Sequence, residues 1–155
     1  MKLKNVQFMP RVQASVIIPS RNHGMISISC PSDPAELNQL WTRERLLRLQ
    51  FHDADDEGNI NLMLGQKVMG TIGAKLFSQS DAKQVIEFAE NLKNQVDTIF
   101  VHCDAGISRS AAVAKFIAEM YSLRFPESYM LYNKYVYRVL RNTLNNMTWK
   151  ERYEP

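Results

Sequence analysis

The stretch HCDAGISRS, residues 102–110, decides how this sequence is interpreted. The run before it, residues 98–101, is β-branched and aromatic, which predicts a buried strand. The run after it, as far as Leu123, is rich in Ala and carries apolar residues at helical spacing, which predicts a helix. A strand, a short loop and a helix therefore follow one another, with Cys103 at the end of the strand and Arg109 near the start of the helix.

This order of residues suits a bound phosphate. Backbone N–H groups at the start of a helix lack partners, and the helix dipole favours negative charge there. Gly106 permits a backbone geometry that a side chain would obstruct, and Arg109 offers a planar fork that matches phosphate oxygens. The same positive surroundings favour the thiolate form of Cys103, a nucleophile facing the phosphorus atom. The residues predicted to contact the phosphate are Asp104, Ala105, Gly106, Ile107, Ser108 and Arg109.

The pattern His102-Cys103-x5-Arg109-Ser110 resembles the signature of the cysteine-based protein tyrosine phosphatase superfamily. Residues 105–110 resemble its small dual-specificity members of bacterial and phage type, and a weaker likeness extends from about residue 25 to residue 140. The resemblance implies that Cys103 forms a phosphocysteine intermediate and that Arg109 holds the phosphate and stabilises the transition state. It also implies that Ser110 assists departure of the thiolate in the second step, while His102 tunes and positions Cys103.

A proton donor is needed to expel the leaving oxygen, and a base is needed to hydrolyse the phosphocysteine. One carboxylic acid can perform both tasks in turn, and the resemblance implies an Asp just after a strand, upstream of the cysteine. Asp53 follows the predicted strand at residues 46–51 and is the preferred candidate, with Asp55 and Asp56 as alternatives. The connection from there to Cys103 is longer than usual for compact enzymes of this kind. Its extra length, residues 59–78, is either a lid or a surface excursion.

Strand and helix signals alternate along the rest of the chain. Residues 16–18 and 25–29 predict short strands, and Ser80 or Asp81 marks a helix start. One or two helices are predicted between Pro126 and Asn145. This alternation predicts an α/β fold with a central, mostly parallel sheet flanked by helices, in a single domain over residues 1–155. Ligands bind such sheets beyond the carboxyl ends of the strands, where the 102–110 loop lies.

Composition and charge narrow the class of protein. The apolar fraction is 45% and the charged fraction 23%, as in ordinary globular domains. No apolar stretch approaches the roughly 20 residues of a membrane span, and no signal peptide is predicted. Two cysteines are too few for a disulfide framework, so we expect a cytoplasmic protein. The net charge of +3 mildly favours anionic ligands but argues against a nucleic-acid partner.

Three functions are consistent with these residues. The first is hydrolysis of phosphotyrosine, or also phosphoserine and phosphothreonine, in a protein or peptide. The second is the same chemistry on an RNA 5′-phosphate or a phosphoinositide, and the third is phosphate binding without turnover. Cys103, Arg109, Ser110 and an upstream Asp favour an enzyme. No metal or other cofactor is predicted, because His102 and Cys103 have no partner pair at ligand spacing.

Two residues outside the loop have two interpretations each. Cys30 is either a strand-end core cysteine or a guard that forms a disulfide with Cys103 on oxidation. Asn133 is either an ordinary helix-start residue or, as the resemblance implies, a brace for the phosphate loop.

Overall fold

The computed structural model describes residues 2–54, 60–61, 67–68 and 74–153. Within these residues the elements, in chain order, are β1 (Asn5–Pro10), α1 (Arg11–Ala14), β2 (His23–Ser29), a 3₁₀ turn (Arg43–Arg45), β3 (Leu46–Gln50), β4 (Ile60–Asn61), β5 (Lys67–Val68), α2 (Gln79–Leu92), β6 (Thr98–Cys103), α3 (Arg109–Met120) and α4 (Lys134–Tyr153).

Four strands form an all-parallel sheet in the order β1-β6-β2-β3. Cys103 pairs with Pro10, and His102 with Ser27, so the strands reach the same edge of the sheet together. Every residue of β6 is buried, as expected for a central strand. The predicted α/β fold with a parallel sheet is confirmed. A separate antiparallel pair, β4 with β5, lies in the long connection between β3 and α2.

The two faces of the sheet are covered differently. The strand residues that join α2, α3 and α4 in the larger core are Ile26, Ile28, Leu49, Ile99 and Val101. The intervening residues point the other way, because side chains alternate along a strand. Met25 and Phe100 thus lie in a smaller cluster, which Ala14 and Trp41 close. The long helices α2, α3 and α4 therefore cover one face, and α1 with loop residues such as Trp41 covers the other.

One predicted strand is wrong, and one strand of the four-stranded sheet, β1, was not predicted. Residues 16–18 form no strand, and Val16 and Ile18 are 74% and 71% exposed. Strand propensity reflects burial on a pleated surface, which these side chains lack. The place beside β6 belongs to β1, and Pro10 is tolerated there because β1 is an edge strand.

Helix boundaries follow their caps. Ser78 Oγ accepts from Asp81 N–H, and the Asp81 carboxylate accepts from Ser78 N–H, both at 3.0 Å. This capping box starts α2 at Gln79, slightly before the predicted position. The late helical region is one helix, α4. Among the described residues, none of the helices is both long and apolar enough to cross a membrane.

Candidate active site

The 102–110 loop joins the buried end of β6 to the first turn of α3. Gly106 has a φ of +71°, and a Cβ there would lie 2.3 Å from the backbone N of Pro10. Only glycine therefore fits between the loop and the end of β1. The N–H groups of residues 104–108 donate to no acceptor in the described part of the chain. The loop thus offers a run of free donors beside a helix amino terminus, which suits an anion.

Cys103 is buried at the base of this loop, and its Sγ lies 3.1 Å from Ser110 Oγ. Ser110 is fully buried in the first turn of α3. When the sulfur is a thiolate, the hydroxyl can only donate to it, since the thiolate carries no proton. The geometry therefore allows Ser110 to stabilise negative charge on Cys103.

The His102 ring is fully buried between two fixed partners. Nδ1 lies 3.2 Å from the carbonyl oxygen of Cys103, and Nε2 lies 2.6 Å from Ser27 Oγ. A carbonyl only accepts, so Nδ1 carries the proton and Nε2 accepts from the Ser27 hydroxyl. Burial lowers the pKa of His102 below its usual range, and the hydrogen bond to Cys103 only partly opposes this. A neutral imidazole thus anchors the backbone of Cys103 to β2.

Arg109 is buried, with 5% of its surface exposed. Nη1 donates to the carbonyl of Phe51 at 2.9 Å, and Nη2 donates to Asp104 Oδ2 at 3.1 Å. Nε is buried and has no partner among the described residues. Burial disfavours its charge, but the attraction of Cys103, Cys30, Asp53 and Asp104 prevails and raises the pKa of Arg109. The edge formed by Nε and Nη2 keeps free hydrogens for an oxyanion.

Asp104 lies between two arginines. Its Oδ2 accepts from Arg109, and its Oδ1 lies 2.9 Å from Nη2 of Arg11. The N–H of Arg11 also donates to the carbonyl of Asp104 at 3.2 Å. The carboxylate therefore neutralises part of the positive charge of the site and ties the loop to α1. Its N–H remains among the free donors of the loop.

Asp53 lies three residues beyond β3 and contacts the loop directly. Its Oδ1 accepts from Ser108 Oγ at 2.9 Å and from Asn133 Nδ2 at 2.8 Å. The preceding residue is also fixed, because His52 N–H donates to the carbonyl of Lys75 and Lys75 N–H donates to His52 Nδ1, both at 2.8 Å. A carboxylate distant in sequence thus lies against the residue that precedes α3.

No family model matches this chain of 17.9 kDa, and no curated protein is significantly similar to it in sequence. Among solved structures, the crystal structure of human tyrosine phosphatase-like serine/threonine/tyrosine-interacting protein is similar, with a TM-score of 0.56 and 17% identity over 92% of this chain and 93% of that one. The chain has the dual-specificity phosphatase fold. The resemblance drawn from residues 102–110 is confirmed at the level of the fold.

On this phosphatase fold, most of the predicted site residues lie together. Cys103 contacts Ser110, Asp53 contacts Ser108, and Arg109 contacts Asp104. His102 contacts the carbonyl of Cys103. Ala105, Gly106, Ile107 and Ser108 complete the loop, with Ile107 47% exposed at its rim. Asp55, Asp56 and most of the 59–78 segment lie outside the described residues.

Several contacts were not predicted from the sequence. Arg11 pairs with Asp104, the carbonyl of Phe51 holds Arg109, and Tyr129 donates its hydroxyl to the carbonyl of Ile107. Because β1 was not predicted, the position of Arg11, which directly follows that strand beside the loop, was not predicted either.

Cys30 is half-buried just beyond β2 rather than in the core, with its Sγ 3.7 Å from Arg109 Nη1 and from Asp104 Oδ2. In the part of the phosphatase fold that is described, no three His, Cys, Asp or Glu side chains group as a metal site requires.

Proposed function

We propose that this protein is a cysteine-dependent phosphomonoester hydrolase of the tyrosine or dual-specificity type, acting on a phosphorylated protein or peptide. The observation that carries the proposal is the contact of Asp53 with Ser108 in the phosphate loop. Binding a phosphate requires only the loop, whereas turnover also requires an acid placed beside it. A carboxylate 55 residues away in sequence, held against the loop, favours turnover.

In the proposed first step, the thiolate of Cys103 attacks phosphorus, forming an S–P bond as the bond to the leaving oxygen breaks. The free N–H groups of the loop and the Nε–Nη2 edge of Arg109 stabilise the charge on the equatorial oxygens. Asp53 gives its proton to the leaving oxygen. No metal or other cofactor enters this step, since Arg109 and the backbone supply the positive charge.

In the second step, Asp53 takes a proton from water as that water attacks phosphorus. The S–P bond breaks, inorganic phosphate forms, and Ser110 donates a hydrogen bond to the departing thiolate. Because the reaction needs a reduced Cys103, a reducing, cytoplasmic location suits it.

Phosphate binding without turnover is the second candidate. The similar human protein is named as tyrosine phosphatase-like and as an interacting protein, and that name does not describe a catalyst. The intact set of Cys103, Arg109, Ser110 and Asp53 favours the hydrolase.

The test is phosphate release from p-nitrophenyl phosphate and a phosphotyrosine peptide, in excess EDTA, by the wild type and by Cys103→Ser. We expect wild-type turnover that vanadate inhibits, no turnover by the variant, and a phosphocysteine adduct trapped only in the wild type. Substantial activity in Cys103→Ser, or activity that EDTA abolishes and a divalent metal restores, would contradict the mechanism. Phosphoinositides and 5′-triphosphorylated RNA in the same assay test the other substrate classes.

A further inference from the structure

We infer that Asn133 is a positioning residue for Asp53, and that Oδ2 of Asp53 is the oxygen that gives its proton to the leaving group. The inference rests on the proposed function, because it concerns the acid of that reaction. It goes beyond the role of a brace for the phosphate loop, since the side-chain amide of Asn133 contacts the carboxyl group itself.

The two oxygens of Asp53 have different surroundings. Oδ1 accepts hydrogen bonds from Asn133 Nδ2 at 2.8 Å and from Ser108 Oγ at 2.9 Å. Two donors occupy the two lone pairs of this oxygen. Oδ2 has no partner among the described residues. A proton on Oδ1 would displace one of the two donors, so the proton of the neutral acid resides on Oδ2.

The amide of Asn133 is itself fixed, which allows it to orient another group. Its Oδ1 accepts from the N–H of Val136 at 2.9 Å, capping the amino terminus of α4. Because a backbone N–H only donates, this contact assigns which end of the amide is oxygen and directs Nδ2 towards Asp53. Nδ2 also donates to the carbonyl of Ala54 at 3.0 Å, so its two hydrogens bind two adjacent residues, Asp53 and Ala54.

The backbone of Asn133 connects the same point to the phosphate loop. Its N–H donates to the carbonyl of Ser108 at 3.0 Å, and its side chain is buried. The start of α4, the loop and the carboxyl of Asp53 therefore meet at one residue. This arrangement holds the carboxyl in one rotation about its Cβ–Cγ bond, with Oδ2 as the oxygen that no described residue contacts.

The same geometry serves both steps. In the first, the proton leaves Oδ2 for the leaving oxygen as the P–O bond breaks. In the second, Oδ2 accepts a proton from the attacking water as the S–P bond breaks, which restores the acid. Oδ1 keeps both of its donors throughout, so neither step requires Asn133 or Ser108 to reorganise.

The experiment compares Asn133→Ser with Asn133→Ala. Serine caps a helix about as well as asparagine, but its side chain is too short to reach Asp53, whereas alanine loses both functions. The readout is the ratio of kcat/KM for p-nitrophenyl phosphate, whose leaving group departs without a proton, to kcat/KM for a phosphotyrosine peptide, whose leaving group needs one. Asp53→Asn is measured in parallel, and thermal unfolding reports the cap.

We expect both Asn133 variants to raise this ratio by about tenfold or more, since misplacing a catalytic group by 1 Å costs up to about 100-fold. Asp53→Asn should raise it further, because a general acid contributes about 10²–10⁴-fold. Asn133→Ser should unfold at a higher temperature than Asn133→Ala. Adding Asn133→Ser to Asp53→Asn should not raise the ratio again, because the acid that Asn133 orients is then absent.

The outcomes distinguish failure of the inference about Asn133 from failure of the proposed function. If Asp53→Asn raises the ratio while Asn133→Ser leaves it at the wild-type value, the inference is wrong and the proposed function stands. If Asp53→Asn leaves the ratio unchanged, Asp53 is not the acid, and the inference is overturned together with that assignment. A ratio that follows thermal stability, changed in Asn133→Ala but not in Asn133→Ser, would show that Asn133 is only a helix cap.

Discussion

The 102–110 loop and the segment 51–54 both contribute to the candidate site, but the chain holds them in different ways. The loop directly joins two neighbouring elements, the end of β6 and the start of α3, and contacts with β1 and α1 add to this local support. The segment is held by residues distant in sequence, because the two donors to Asp53, Ser108 and Asn133, are 55 and 80 residues away from it. The residues proposed to bind phosphate therefore lie in one continuous stretch of sequence, whereas the proposed proton donor reaches them only in the assembled fold.

The largest expected effect tests the 102–110 loop. Arg109→Lys keeps the positive charge but loses the fork, with its buried Nε–H and its Nη1 contact to the carbonyl of Phe51. We expect kcat/KM to fall about 10²–10³-fold for activated and unactivated substrates alike, as for removal of one oxyanion-hole donor. Steady-state kinetics on p-nitrophenyl phosphate and a phosphotyrosine peptide measure this.

The matched control is Arg48→Lys, which replaces an arginine that donates to the carbonyl of Ala35 and makes no hydrogen bond to the described residues of the loop. It should retain wild-type kinetics. A loss of less than tenfold in Arg109→Lys, or a loss confined to the unactivated substrate, would show that Arg109 does not bind the phosphate.

The next effect concerns stability and the close approach of the loop to β1. Gly106→Ala would place a methyl group against the backbone of Met9 and Pro10 at a φ of +71°. We expect a loss of about 2–4 kcal/mol in the free energy of unfolding, combining left-handed strain and overpacking. Urea titration measures it, and the slope of the transition shows whether the two-state description holds.

Gly24→Ala provides the comparison for that loss. A Cβ at Gly24 meets the Cδ1 end of the Leu92 side chain at 2.8 Å, and Gly24 has no positive φ. A flexible side-chain end can move, whereas the backbone beside Gly106 cannot move without displacing β1. Equal losses in the two variants would mean that the loop is not held against β1 as described.

The same contrast explains how much could be predicted from the sequence. The loop, its strand and its helix were predicted because their determinants are neighbours in the chain. Asp53 could be preferred over Asp55 and Asp56 only because it follows a strand, a pattern that carries no information on contacts. Its contact with Asn133 depends on where α4 begins relative to β3, which no local pattern encodes.

The error at the start of the chain has a different origin. Residues 16–18 have strand-forming side chains, while the actual strand β1 ends in a proline, a residue that usually argues against a strand. Local propensity favoured the wrong segment because the deciding factor was which segment could pair with β6. Missing β1 also meant missing Arg11, since α1 directly follows that strand.

The smallest expected effect concerns His102, which connects the 102–110 loop to β2 of the sheet. Burial lowers the pKa of His102 in the folded protein, whereas in the unfolded chain its imidazole titrates near 6.5. Well above that pH both states are neutral, and His102 adds no pH dependence. As the pH falls below about 6.5, the unfolded chain binds a proton that the folded protein resists, so stability decreases, by at most about 1.4 kcal/mol per pH unit. The decrease continues until the pH reaches the lowered pKa of the folded state.

Urea titrations of the wild type and of His102→Asn would measure this contribution. The pH range, from about 7.5 to about 5, lies on both sides of the unperturbed imidazole pKa of about 6.5. The variant loses the hydrogen bond to Ser27 and is less stable at every pH, so the informative quantity is the slope of stability against pH and not its level. The slope should be shallower in the variant, because the titrating ring is gone while the carboxylates and the other histidines are shared. Identical slopes would mean that the folded protein accepts the proton on His102, and the neutral ring between Ser27 and Cys103 would then not be the form that anchors the loop.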